Sequence, residues 1–180
     1  MSIMRSFRGP ETVRCFQRQH WRRLPPDIQR RALQKWQTIV TAHLRNPDDH
    51  ARLLYYTLPG GWTVLVGRTD ADNDRLSLHI AKPNDWWFHI RGMPGSHVLL
   101  LARPGDDPDR ATLKRAAAVA AYHSKARTAG LVAVSCTRAR YVTKPRDAPP
   151  GTVQIRKEII LKVRPEAPQI TATDDGNSGL

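Results

Sequence analysis

One stretch governs what this chain can become. Residues 110–130, RATLKRAAAVAAYHSKARTAG, carry the run AAAVAA, which leaves almost no side-chain bulk between a helix and whatever it packs on. Alanine is the strongest helix former because it loses no side-chain entropy on ordering, and a helix this smooth lies close against a sheet. Asp107 is the expected N-cap, Pro108 a first-turn residue and Gly130 the stop. At about 100° per residue, Leu113, Ala116, Ala120 and Ser124 share one side. Lys114, Ala118, Ala121, Tyr122 and Lys125 share the other, with Tyr122, Lys114 and Lys125 facing outward.

The sheet such a helix needs is written on both sides of it. "LLYYTLPGGWTVLVG" (53–67) holds two apolar runs around Pro59, Gly60 and Gly61, a hairpin with Trp62, Val64 and Val66 on one face. "DADNDR" (70–75) reads as a turn and "LSLHI" (76–80) as a short strand. "WWFHI" (86–90) and "HVLLLA" (97–102) read as two strands around Gly92, Pro94 and Gly95. Pro94-Gly95 suits the centre of a type II turn, where glycine accepts positive φ. Beyond the helix, "LVAVSCT" (131–137) is a buried strand, "RYVTKPRDAPPGTVQI" (140–155) a strand, basic loop and strand, and "EIILKV" (158–163) the last strand. The fold class is therefore α+β: a largely antiparallel mixed sheet with one main internal helix.

A second helix is expected at the N-terminal side. Over 27–45, Ile28, Ala32, Trp36, Ile39, Val40 and His43 recur at steps of three and four, an amphipathic pattern. The domain organisation is then a basic extension at 1–50 that is loosely ordered over 1–24, a folded domain at 51–164, and a polar, disordered tail at 165–180.

Charge narrows the partners. With 29 Lys and Arg against 16 Asp and Glu, the formal net charge is +13, which steers polyanions toward the chain. Arginine outnumbers lysine, favouring forked contacts to phosphate, although a genome rich in arginine codons leaves the same excess. Cys15 and Cys136 lie far apart with no metal-ligand spacing, so a reducing compartment is expected. No apolar run is long enough to span a membrane and the start is a poor signal peptide, so the chain reads as cytoplasmic with no membrane partner.

Little in the sequence demands catalysis. Ser96 and His97 are strand neighbours that point to opposite faces, a poor nucleophile and base. His89, His97 and Asp85 can meet across a hairpin around a metal, and a metal-dependent RNA-processing enzyme is the alternative they define. No glycine pattern for a nucleotide cofactor occurs, and no cofactor is expected. Three segments instead mix cations with rings: "WWFHIRG", "YHSKAR" and "RYVTKPR". RNA recognition needs this combination, cations for phosphate and planes for stacking. Strand alternation assigns Phe88 and one of Trp86 and Trp87 to the core. A third reading is a protein-interaction adaptor whose 27–45 helix docks an acidic partner.

"GWTVLVGRTDADNDRLSLHIAKPNDWWFHIRGMPGSHVLL", "AAAVAAYHSKAR" and "RYVTKPRDAPPGTVQI", in this order and spacing, closely resemble the NFACT-R domain. That domain is the C-terminal RNA-binding module of the NFACT ribosome-quality-control proteins, called RqcH in bacteria and NEMF in animals. The likeness runs from about residue 55 to about 164, and Trp86 stands where the family commonly has leucine. Full NFACT proteins engage obstructed large ribosomal subunits with further domains that residues 1–50 do not supply. The likeness therefore implies a stand-alone, non-catalytic module that binds tRNA or ribosomal RNA on stalled large subunits, and does not imply tailing of nascent chains. The residues expected to meet RNA are His89, Arg91, Ser96 and His97 from the first segment, Tyr122, Ser124, Lys125 and Arg127 from the helix, and Arg140, Lys144 and Arg146 from the basic loop. Ser124 falls on the helix's buried side and serves equally as a cap. The three segments are expected to fold into a single groove.

Overall fold

A computed structural model describes residues 46–168 together with Asp27, His43 and Leu44. The rest of the expected 27–45 helix, residues 1–24 and the tail beyond 168 lie outside the described residues. The chain runs α1 (Pro47–Arg52), β1 (Leu54–Leu58), β2 (Trp62–Val66), α2 (Asp70–Arg75), β3 (Trp86–Ile90), β4 (Val98–Leu100), α3 (Arg110–Tyr122), β5 (Val132–Arg138), β6 (Val142–Thr143), β7 (Gln154–Ile155) and β8 (Ile159–Val163). Six strands form one antiparallel sheet in the order β1-β2-β4-β3-β5-β8, and β6 pairs with β7 apart from it. The α+β reading stands. The β1–β2 hairpin turns where expected, with Leu58 opposite Trp62 and Gly60 and Gly61 at φ 78° and 74°, a region that side chains with a Cβ resist.

The sheet is covered by two layers. Alternation along the strands sends Val64, Val66, Phe88, Ile90, Val134, Cys136, Leu161 and Val163 to one face, where α3 packs with Ala116, Ala117 and Ala120 fully buried. Each large side chain so buried contributes about 1.5–3 kcal/mol. Burial pushes the Cys136 thiol up to about 12, leaving it protonated and inert. The opposite face sends Leu65, Trp87 and Leu99 against Leu76 and Ile80.

Several local expectations are corrected. Residues 70–80 are helical: α2 continues into a five-residue π-turn, Leu76–Ile80, in place of the expected turn and strand. The cause is a capping box in which Thr69 Oγ1 accepts from Asp72 N at 3.1 Å and Asp72 Oδ2 accepts from Thr69 N at 3.1 Å. The N-cap of α3 is Asp109, whose carboxylate accepts from Thr112 N at 2.7 Å; Asp107 takes Arg138 instead, at 2.9 Å. Helix α3 ends at Tyr122, well short of Gly130. Ala118 and Ala121 are buried as well, as members of the same core cluster, and the chain after β8 meets the helix where Glu166 N donates to Ala118 O. Gly95 does not take positive φ; its role emerges at the site.

Candidate nucleic-acid interface

The register Val66↔Val98 brings the end of β2 and the start of β4 to the same edge of the sheet. The last turn of α3 arrives there too, because residues 94–96 pair with 123–125 like two short strands. Ser96 N donates to His123 O at 2.9 Å, Lys125 N donates to Pro94 O at 3.1 Å, and Gly95 bridges Ser124. A Cβ on Gly95 would stand 2.7 Å from Ser124 Cβ and 2.8 Å from Ile90 Cγ2. Glycine is required here for close approach. Ser124 Oγ donates to Ala121 O at 2.6 Å and accepts from Ala126 N at 3.0 Å, so it ends the helix as a cap.

These contacts open a cleft of about 430 Å³ whose lining includes Arg68, Ser96, Tyr122, His123, Lys125 and Arg127. Asp70 is the carboxylate among the described lining residues. The Arg127 guanidinium lies 3.9 Å above the Tyr122 ring and donates to its hydroxyl, so one Tyr122 face is already occupied and the guanidinium offers its outer plane. Among the described residues, Arg68, Lys125 and Arg127 are in no ion pair. His123 sits 3.0 Å from the Tyr56 hydroxyl; burial, with Arg127 nearby, pushes it down to about 4, leaving it neutral. Arg68 and His123 are functional candidates that motif reading overlooked. For Arg68 the available signal was a cation just past Gly67, which follows the end of β2.

The first segment divides between core and surface. Trp87 is the core tryptophan and donates to Ser77 Oγ at 2.9 Å. Trp86 is half-buried beneath Arg138, at 4.0 Å. His97 is only 2% exposed, its ring edge-on to Trp87 and His89, its Nδ1 2.8 Å from Ser77 Oγ and its backbone N donating to Asn73 Oδ1 at 2.8 Å. Burial pushes it down to about 4, with His89 adding to the shift. His97 therefore pins the cleft's floor from inside and is not placed to touch a ligand. His89 is half-buried, its ring stacked on Trp87, and burial lowers its pKa. Arg91 is exposed at the end of β3 and pairs with Glu158 at 3.5 Å.

The expectation of one groove from three segments is corrected: of the first segment's candidates only Ser96 lines the cleft, and the third segment lies apart from it. The basic loop splits. Lys144 is held by Asp74 at 2.8 Å, and Gly151 N donates to the same carboxylate at 3.0 Å, so the loop is tied to α2 with Arg146 exposed on it. Arg140 stands near the start of β3, donating to Asn84 Oδ1 at 3.0 Å, and lines a different cleft with Arg103 and Arg138.

The metal-site alternative loses its carboxylate. Asp85 is fully buried and accepts from His43 Nε2 at 3.1 Å, Lys82 N at 2.7 Å and Ala102 N at 2.8 Å. Among the described residues, no group of three or more His, Cys, Asp or Glu is gathered to hold a metal ion, and no helix is long and apolar enough to cross a membrane.

Known proteins share this chain's sequence and fold over its described domain. The family described as "NFACT protein RNA binding domain" matches residues 52–157. The protein named Rqc2 homolog RqcH from Bacillus subtilis is 38% identical over 112 residues, 62% of this chain and 19% of that protein. Its namesake from Streptococcus suis is 37% identical over 116 residues, 64% of this chain and 21% of that protein. The chain thus matches about one fifth of the length of these curated relatives. A solved structure titled as the C-terminal of the fibronectin/fibrinogen-binding protein from Streptococcus suis superposes with a TM-score of 0.59 at 37% identity, covering 62% of this chain and 45% of that one.

Proposed function

Because the chain belongs to the NFACT RNA-binding domain family, we propose that it is a non-catalytic RNA-binding protein that takes tRNA or ribosomal RNA in the Arg68–Tyr122–Arg127 cleft. Its place of action under this reading is the cytoplasm, on stalled large ribosomal subunits, in ribosome-associated quality control. The observation that carries it is the convergence of Arg68, Lys125 and Arg127, none in an ion pair among the described residues, around a Tyr122–Arg127 stack. Cations placed this way neutralise phosphate, and the outer plane of the guanidinium accepts an unstacked base. The relatives named RqcH support the ribosomal part of the reading.

Titration of labelled tRNA across salt concentrations tests it. Affinity should fall with a log–log slope of about −2 to −3, from three phosphate contacts at about 0.7–0.9 each. Lys125→Ala with Arg127→Ala should weaken binding and flatten the slope by about 1.5, with an unchanged circular dichroism spectrum. Affinity that ignores salt overturns the reading. So does chelator-sensitive cleavage of the tRNA in the presence of a divalent metal.

A further inference from the structure

The cleft has two walls. Residues 94–97 run between them like a strand, with hydrogen bonds alternating to either side. Pro94 O and Ser96 N bond the end of α3, which brings Tyr122, Lys125 and Arg127. His97 bonds the other way, its O accepting from Gly67 N at 3.1 Å and its N donating to Asn73 Oδ1 at 2.8 Å. That side brings Arg68 and the first turn of α2, with Asp70. A cleft of about 430 Å³ lies at the low end of small-ligand pockets. It has room for one nucleotide pulled out of its stack and none for a duplex.

Asp70 is the anomaly in this basic cleft. The other aspartates of α2 are taken. Thr69 Oγ1 donates to Asp72 Oδ2 at 2.7 Å, and Asp74 accepts from Lys144 at 2.8 Å and from Gly151 N at 3.0 Å. Asp70 is exposed, and among the described residues it is in no ion pair and no side-chain hydrogen bond. Capping does not account for it, because Thr69 and Asp72 already close the helix's first turn. Its position is nevertheless fixed from one side. Gly151 is held at φ 79°, and a Cβ there would stand 2.9 Å from Asp70 Oδ1. The loop that Asp74 ties down therefore backs the carboxylate, whose free side is the cleft it lines.

A carboxylate so placed repels phosphate, and it weakens RNA binding unless the ligand also donates to it. An ionised carboxylate only accepts, through two oxygens side by side. Among the bases, guanine alone carries two adjacent donors on its Watson–Crick edge, N1–H and the N2 amine. Adenine and cytosine offer one amine there, and uracil one imino N–H. The opposite wall supplies a plane for such a base: the Arg127 guanidinium rests on Tyr122 with its inner face, and the residue is exposed.

We propose that the cleft selects an unpaired guanine, its face on the Arg127 guanidinium and its N1–H and N2 amine donated to the Asp70 carboxylate, with Arg68 and Lys125 on the flanking phosphates. This depends on the reading of the cleft as an RNA site and names the nucleotide that it takes. In a duplex this edge of guanine is already paired, so the selection is for single strands, loops and bulges.

The test measures binding of the full chain to labelled oligouridines of about seven nucleotides, within the size of one single-strand site, whose central position is uridine, cytidine, adenosine, guanosine or inosine. Guanosine should bind about tenfold more tightly than uridine, and inosine, which lacks the N2 amine, should lose most of that gain. Asp70→Asn should abolish the preference yet strengthen binding of the all-uridine strand, because a repelling charge is gone, with the urea midpoint unchanged. Equal binding of guanosine and uridine, or of guanosine and inosine, overturns the proposal; the cleft still stands if Lys125→Ala with Arg127→Ala weakens every strand. If that pair changes nothing, the cleft reading falls and the guanine selection with it. A guanosine preference that survives Asp70→Asn places the selection elsewhere and refutes the proposal. Should Asp70→Asn weaken all five strands alike, the carboxylate serves ribose or the helix end, and selection of a base is overturned.

Discussion

Gly95 is where chemistry and packing meet most tightly at the scale of single residues. Its missing side chain lets residues 94–96 lie against Ser124 and Ile90, and that contact carries Lys125 and Arg127 to the cleft. In Gly95→Ala the new methyl must displace Ser124 Cβ and Ile90 Cγ2, both nearer than 3 Å. Overpacking of this kind costs about 1–3 kcal/mol. We expect a lower urea midpoint, and weaker tRNA binding by the fraction that remains folded. An unchanged midpoint would mean that both neighbours yield freely and that the close approach is not what joins the helix to the loop. The glycine was legible in the sequence as a turn residue, but the reason for it was not. Positive φ is a local property that Pro-Gly suggests, whereas close approach depends on a helix end some thirty positions away. His97 misleads for a related reason: next to an exposed loop it reads as a surface ligand, and only the fold reveals Ser77 and Asn73 waiting inside.

At the scale of elements, the helix that starts at Asp70 determines how the second layer sits. Leucine, serine, leucine, histidine and isoleucine at 76–80 alternate like a strand, and so they were expected to form one. The contrary signal was also present, Thr69 followed three residues later by Asp72, a capping pair that starts a helix. Alternation lost because five residues are too few for period alone to decide between strand and helix. By contrast β1, β2, β3, β5 and β8 were all legible, since their apolar runs are bounded by proline, glycine or charge. The capping pair predicts that Thr69→Ala lowers stability by about 1 kcal/mol, read as a shift in urea midpoint, while Thr69→Ser restores it. Because Thr69, Asp70 and Asn73 line the cleft, the alanine variant should also loosen its floor. Equal stability of the alanine and serine variants would show that the second layer holds α2 in place without its cap.

For the molecule as a whole, charge and burial work in opposite directions. The chain carries a formal net charge of +13, yet burial keeps two of its histidines, His97 and His123, neutral. Composition made the first half of that statement legible and gave no hint of the second, which depends on which rings the fold encloses. His97 and His123 both fall from an ordinary 6.5 to about 4, each chiefly through burial, His97 next through His89 and His123 through Arg127. In the unfolded chain both would titrate near 6.5. Between 6.5 and about 4 the unfolded state therefore binds protons that the folded state refuses, so stability rises with pH across that window. The contribution is complete above 6.5 and is lost as pH falls toward 4. It amounts to on the order of 3 kcal/mol for His97 and less for His123, which is more open to solvent. Urea midpoints measured from about pH 7.5 down to about pH 4.5 should decline steadily. In His123→Gln the decline should be shallower, with the part due to His97 remaining. A midpoint that stays level over this range would mean that acid reaches these rings without unfolding the sheet, and that the floor of the cleft is looser than its hydrogen bonds to Ser77, Asn73 and Tyr56 imply.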